Sequence, residues 1–109
     1  MQDPALDNRD NGAENDFGNT NTTCFGSSSA FGQHNNASGW SSSAFGRSNT
    51  TAGDADSAFG MGNSAWGSYS SAFGASNVAL GFTSRPLGYH NTADGQSCSA
   101  FGHYNAAQG

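Results

Sequence analysis

Three sets of residues in this 109-residue chain are of types that could do chemistry. His90 and Tyr104 lie fourteen residues apart with His103 adjacent, an imidazole and phenol set that would suit a metal or a proton. Metal binding needs a full ligand set, and two imidazoles fall short of one, so solvent-exposed histidine is the expectation. Residues 7–12, DNRDNG, have the look of a calcium loop, but Arg9 stands where an oxygen ligand belongs and Gly18 occupies the twelfth position in place of glutamate. A solvated acidic segment is the better reading. Gly60, Gly62 and Ala65 match G-x-G-x-x-A without the strand–helix context that makes a dinucleotide site. No Ser/His/Asp or Cys/His arrangement rises above the serine background. No catalysis, metal or cofactor is expected.

The element that must position these residues is a repeat. Glycine falls every seven residues from Gly32 to Gly109 without a slip. Asparagine recurs every fourteen, at Asn35, Asn49, Asn63, Asn77, Asn91 and Asn105. The intervening half-units carry Phe31, Phe45, Phe59, Phe73, Leu87 and Phe101, each just before its glycine. The unit is therefore fourteen residues in two unlike halves, and such periodicity outranks local propensity.

With glycine as position 7, position 5 is small: Ala30, Ala37, Ala44, Thr51, Ala58, Ala65, Ala72, Ala79, Pro86, Ala93, Ala100 and Ala107. Glycine once per seven, at about 1 kcal/mol each relative to alanine, excludes a helical heptad. A short strand over positions 4 to 6 and a turn over 7, 1, 2 and 3 fits better, with Gly32, Gly46, Gly60, Gly74, Gly88, Gly102 and the asparagines in the turns. Two such units close one coil, and stacked coils share a thin core. Side chains alternate along a strand, so alanine inside leaves the Phe row outside; alternation alone also allows the converse, with Phe inside and alanine outside. An outward apolar ladder marks an interaction surface, and its simplest partner is another copy of the chain.

Composition supports this. Only a tenth of residues are charged, lysine is absent, and the net charge is −5. Arg9, Arg47 and Arg85 are too few for nucleic acid or an anionic membrane. No apolar run approaches the roughly 18 residues of a membrane-spanning helix. The start, MQDPALDNRDNG, lacks the features of a secretory signal, which reads as a fragment or another export route.

SNVALG (76–81), the repeated SSAFG and NTADG (91–95) resemble the YadA-like head repeat of trimeric autotransporter adhesins. The resemblance covers residues 27–109, leaving 1–26 as an acidic, irregular lead-in. It implies an all-β, left-handed parallel β-roll of fourteen residues per coil, assembled as a homotrimer. It further implies a non-enzymatic head at the bacterial cell surface that attaches to host extracellular-matrix or cell-surface molecules. Similar repeats suit phage tail fibres, and the Phe-Gly pairs also resemble disordered nucleoporin repeats, although disorder has no need of fixed spacing. Serine mostly replaces the family's valine at position 4, phenylalanine replaces its isoleucine at position 6, and Arg85–Pro86 interrupts one coil. The protruding turn residues Trp40, Tyr69, Phe82, Tyr89 and Tyr104 are the expected surface contacts. Cys24 and Cys98 are a little over five coils apart, roughly 25 Å at about 4.8 Å per coil, so no intrachain disulfide is expected.

Overall fold

The computed structural model describes residues 15–23 and 27–108. In chain order the strands are β1 (Asn15–Asn19), β2 (Thr22–Thr23), β3 (Ser29–Gln33), β4 (Asn36–Ala37), β5 (Ser43–Arg47), β6 (Thr50–Thr51) and β7 (Ser57–Met61). They continue as β8 (Ser64–Ala65), β9 (Ser71–Ala75), β10 (Val78–Ala79), β11 (Arg85–Tyr89), β12 (Thr92–Ala93), β13 (Ser99–His103) and β14 (Ala106–Ala107). Odd-numbered strands form one seven-stranded sheet and even-numbered strands another, each in sequence order. Every pairing is parallel, and each partner lies fourteen residues on, as in Phe45↔Phe59 and Thr50↔Ser64. The molecule is a parallel β-solenoid of about six turns, an ordered ladder that replaces the disordered Phe-Gly alternative.

The ladder begins earlier than residue 27. β1 pairs β3 in the register Phe17↔Phe31, and β2 pairs β4 through Thr23↔Ala37, so residues 15–23 already keep the fourteen-residue step. Gly26, one residue late, suggests a slip in the period; the pairing on either side of it shows none. Cys24 and the acidic positions 3–14 lie outside the described residues, so the disulfide and lead-in expectations for them do too.

Position 5 forms the interior. Ala30, Ala37, Ala44, Ala58, Ala65, Ala72, Ala79 and Ala93 are fully buried, Ala100 is buried, and Thr51 and Pro86 fill the same row. Only such small side chains fit between two sheets in a body whose principal extents are 46 × 22 × 10 Å. The coils are joined by the backbone ladders of the two parallel sheets, and rows of buried polar side chains run beside the alanines.

The two halves differ more than their shared glycine suggests. In the Phe half the strand runs five residues, from position 4 through glycine to the next position 1. In the other half it covers positions 4 and 5 alone. Gly32, Gly46, Gly60, Gly74, Gly88 and Gly102 therefore sit inside strands, not in turns, with φ of 116–125°. The left-handed turn conformation is found instead at position 2, at residues such as Ser48, Ser76, His90 and Tyr104. Gly74 serves two purposes: its φ of 120° is closed to other residues, and a Cβ there would strike the Gly88 carbonyl of the next coil. Gly67, in the other half, lacks that φ but makes the same close approach to Gly81.

Pro86 has no N–H to give toward the preceding coil, so β11 keeps only Leu87, Gly88 and Tyr89 in register with β9. The coil nonetheless closes, because Arg85 donates its N–H to the Cys98 carbonyl on the other side at 2.8 Å.

Candidate interaction surface

Three surfaces of the solenoid present side chains that its own packing leaves uncovered. The first is the flat face of the five-residue strands. Their sequence, such as SAFGR in β5, turns serine and phenylalanine outward once alanine is inward. Phe31, Phe45, Phe59 and Phe73 stack face to face, with ring centroids 4.5, 4.8 and 4.9 Å apart and planes within 6°. That spacing is the strand spacing itself, which forces identical residues in one row into a stack. All four rings are half-exposed, and the row continues through the exposed Leu87 and Phe101. Full burial of such a side chain is worth about 1.5–3 kcal/mol, so each rung retains a fraction of this to gain from a partner.

The second surface is the edge at the turns after the five-residue strands. The structure brings Tyr89, His90, His103 and Tyr104 into one cluster. His90 stacks on Tyr104 and Tyr89 on His103, both at 4.9 Å, while Tyr89 meets Tyr104 edge-on at 5.6 Å. Imidazole and phenol thus alternate in a two-by-two square. Sequence spacing pointed to His90, His103 and Tyr104; Tyr89 joins them because it ends β11 rather than standing in a turn. The square holds two imidazoles, and among the described residues no group of three or more His, Cys, Asp or Glu side chains is gathered for a metal.

The third surface is the opposite edge, formed by the turns after the two-residue strands. It carries Trp40, Tyr69 and Phe82, all exposed, with Tyr69 and Phe82 in edge-to-face contact at 5.8 Å. Trp66 and Leu80 are exposed beside them and were missed as contacts. Their signal was present in position 6 of the mixed row, where neighbouring coils carry only Ser38, Ala52, Asp94 and Gln108.

Two buried rows set these edges in place. Asn35, Asn49, Asn63, Asn77 and Asn91 stand at turn positions, as expected, but their side chains point inward and are buried. Asn63 is representative: its Nδ2 donates to the Phe59 and Gly74 carbonyls, both at 2.8 Å, and to Asn49 Oδ1 at 3.1 Å. Its own Oδ1 accepts from the backbone and side-chain nitrogens of Asn77. On the other side runs Ser28, Ser42, Asp56, Ser70, Ser84 and the half-buried Cys98, whose thiol is free. Among the described residues of this row, Asp56 is the one carboxyl group. It accepts from the Gly53 and Ser70 backbone N–H groups and the Ser70 hydroxyl, at 2.8–3.0 Å. Burial nevertheless raises its pKa, an effect the hydrogen bonds from Ser70 and Gly53 only partly oppose.

Set against protein-family models, curated proteins and solved structures, the chain matches none. Fold and surface define a β-solenoid repeat protein with an exposed aromatic ladder.

Proposed function

We propose that the chain is a non-enzymatic adhesive head module, displayed at a bacterial surface and assembled as a homotrimer through its flat aromatic face. The observation that carries this reading is the Phe31–Phe45–Phe59–Phe73 stack, extended by Leu87 and Phe101 along one continuous side of the solenoid. A thin body with an alanine interior has little apolar burial of its own, and a ladder of this length offers the missing share. Cyclic symmetry would bring the same row of each copy to a common axis and close the face. The likeness of the repeats to YadA-like heads supports three copies and a left-handed roll. The two turn edges would then face outward, available to host matrix or cell-surface molecules.

Sedimentation velocity tests the assembly. The wild-type chain is expected at trimer mass at micromolar concentration. Phe45→Asp combined with Phe73→Asp is expected to give a monomer, because the interface would bury unpaired charges. A wild-type monomer, or a double variant that stays trimeric, would contradict the proposal.

A further inference from the structure

The edge bearing Trp66, Tyr69, Leu80 and Phe82 has a charge arrangement that points to the chemistry of its ligand. Backbone bonds fix the columns: Tyr69 N–H to the Asp54 carbonyl, Thr83 to Ser68, Ser97 to Phe82, at 2.8, 3.0 and 2.8 Å. Trp66 and Leu80 are stacked likewise, each N–H reaching the next coil, and Asp94 follows Leu80 in the same row. The four apolar side chains are 45–59% exposed and lie between two exposed carboxylates, Asp54 one coil below and Asp94 one coil above. Asp54 and Asp94 are three coil steps apart, about 14 Å at about 4.8 Å per step.

Among the described residues, the apolar rows of this edge contain no cation. The chain has no lysine, and Arg47 ends β5 at the far side of the flat face; the exposed Arg85, three residues past Phe82, borders the edge where it opens β11, one cation against the two carboxylates. His34, His90 and His103 stand at or beside the opposite turns. Aromatic faces attract cations, tryptophan most strongly, and the two carboxylates add to the same field. An anionic ligand would be repelled, and a neutral one would leave the aspartates unused.

We propose that this edge binds a cationic, extended polypeptide segment, seating arginine or lysine side chains against Trp66, Tyr69 and Phe82 between Asp54 and Asp94. An extended chain of about four residues spans that distance. The assignment deepens the adhesive reading, since it names what the head would hold, and it does not depend on the number of copies.

The test uses the full chain carrying Trp40→Phe, so that fluorescence reports Trp66 alone, with acetylated hexa-arginine amide as probe. Hexaglutamate and the neutral glycan cellohexaose are the comparisons. Hexa-arginine is expected to change Trp66 emission saturably, and to bind at least about tenfold more weakly after Asp54→Asn with Asp94→Asn. Calorimetry is expected to show a similar loss for Trp66→Ala, with circular dichroism confirming that each variant keeps its β signal. The acidic N-terminal residues also attract the probe, so dependence on these three positions is what decides. No saturable change, or binding indifferent to both carboxylates and Trp66, overturns the proposal. Cellohexaose binding in place of hexa-arginine overturns it in favour of a glycan platform. Sedimentation of the same samples keeps the readings apart: a trimer that fails to bind refutes this inference alone, and a monomer that binds refutes the assembly alone.

Discussion

Asp56 is the residue whose chemistry is least at home in its surroundings. Its neighbours in the row are Ser42 and Ser70, and Ser42 shows how a hydroxyl fits there, donating to the Gly39 carbonyl at 2.8 Å and accepting from the Gly39 N–H at 3.2 Å. Burial raises the Asp56 pKa above its ordinary value of about 3.9. A raised folded-state value means that the folded chain holds the proton longer than the unfolded chain. The resulting stabilisation is complete below the ordinary value and is lost as pH rises through the folded value. Asp56→Ser should therefore gain on the wild type as pH increases, by about 1.4 kcal/mol for every factor of ten between the acid dissociation constants of the unfolded and folded chains. Thermal melts of both proteins between pH 3 and pH 7 measure this; a stability difference that stays constant across the range would show that Asp56 does not titrate as described. Nothing in the sequence singles out this carboxylate, because position 3 reads as a turn and a turn aspartate is ordinarily solvated.

At the scale of the element, the asparagine ladder holds successive coils together more specifically than the alanines do. An amide nitrogen has two hydrogens, and Asn63 Nδ2 has three acceptors within reach, so one hydrogen is shared. Asn63→Ala would leave the buried Asn77 N–H without its acceptor, at about 1–3 kcal/mol, and would take a second donor from the Phe59 and Gly74 carbonyls of the paired strands. Asn63→Asp should be worse at neutral pH, since it sets a charged acceptor against two carbonyls. Urea unfolding is expected to rank wild type above Asn63→Ala above Asn63→Asp, with the surface change Asn36→Asp close to wild type. The period, the alanine row and the Phe row were legible because identical residues recur at one spacing. The strand boundaries were not. Gly46 and Gly53 look alike in sequence, yet Gly46 lies within β5 at a φ of 119° against the Gly60 carbonyl of the next coil, while Gly53 lies in a turn where an added Cβ would first meet the Asp56 carboxylate. The first coil was hidden for a related reason: Gly26 is out of phase, while Phe17, Gly18 and Asn21 keep the step.

For the whole molecule, equal coils in sequence order imply that stability accumulates coil by coil. Removal of residues 57–70, one full unit, brings Ser43–Arg47 next to Ser71–Ala75 with every row intact. Removal of residues 57–63, half a unit, sets the Phe row on the mixed row and the asparagines on the serines. The first deletion is expected to keep the β circular dichroism signal, with a urea m-value reduced roughly in proportion to length. The second is expected to lose cooperative unfolding, because buried amides would then face groups that cannot complete their bonds. The candidate contacts were only partly visible at this scale. Trp40, Tyr69 and Phe82 share an edge because they occupy equivalent turns, whereas Tyr89 and Tyr104 belong to the opposite edge, and a linear list of protruding aromatics does not separate the two.

The hydrogen bonds between coils run along the axis of the solenoid, one turn to the next, as in Ser57 N–H to Ser70 carbonyl at 2.9 Å. Tension applied between the two ends therefore opens one rung at a time instead of shearing many together. Each coil that yields converts about 4.8 Å of axial length into fourteen residues of extended chain, roughly 45 Å of new length. A head anchored at one end and loaded at the other would then lengthen in equal steps, dissipating work at every step. The fourteen-residue period would be written into its force–extension curve.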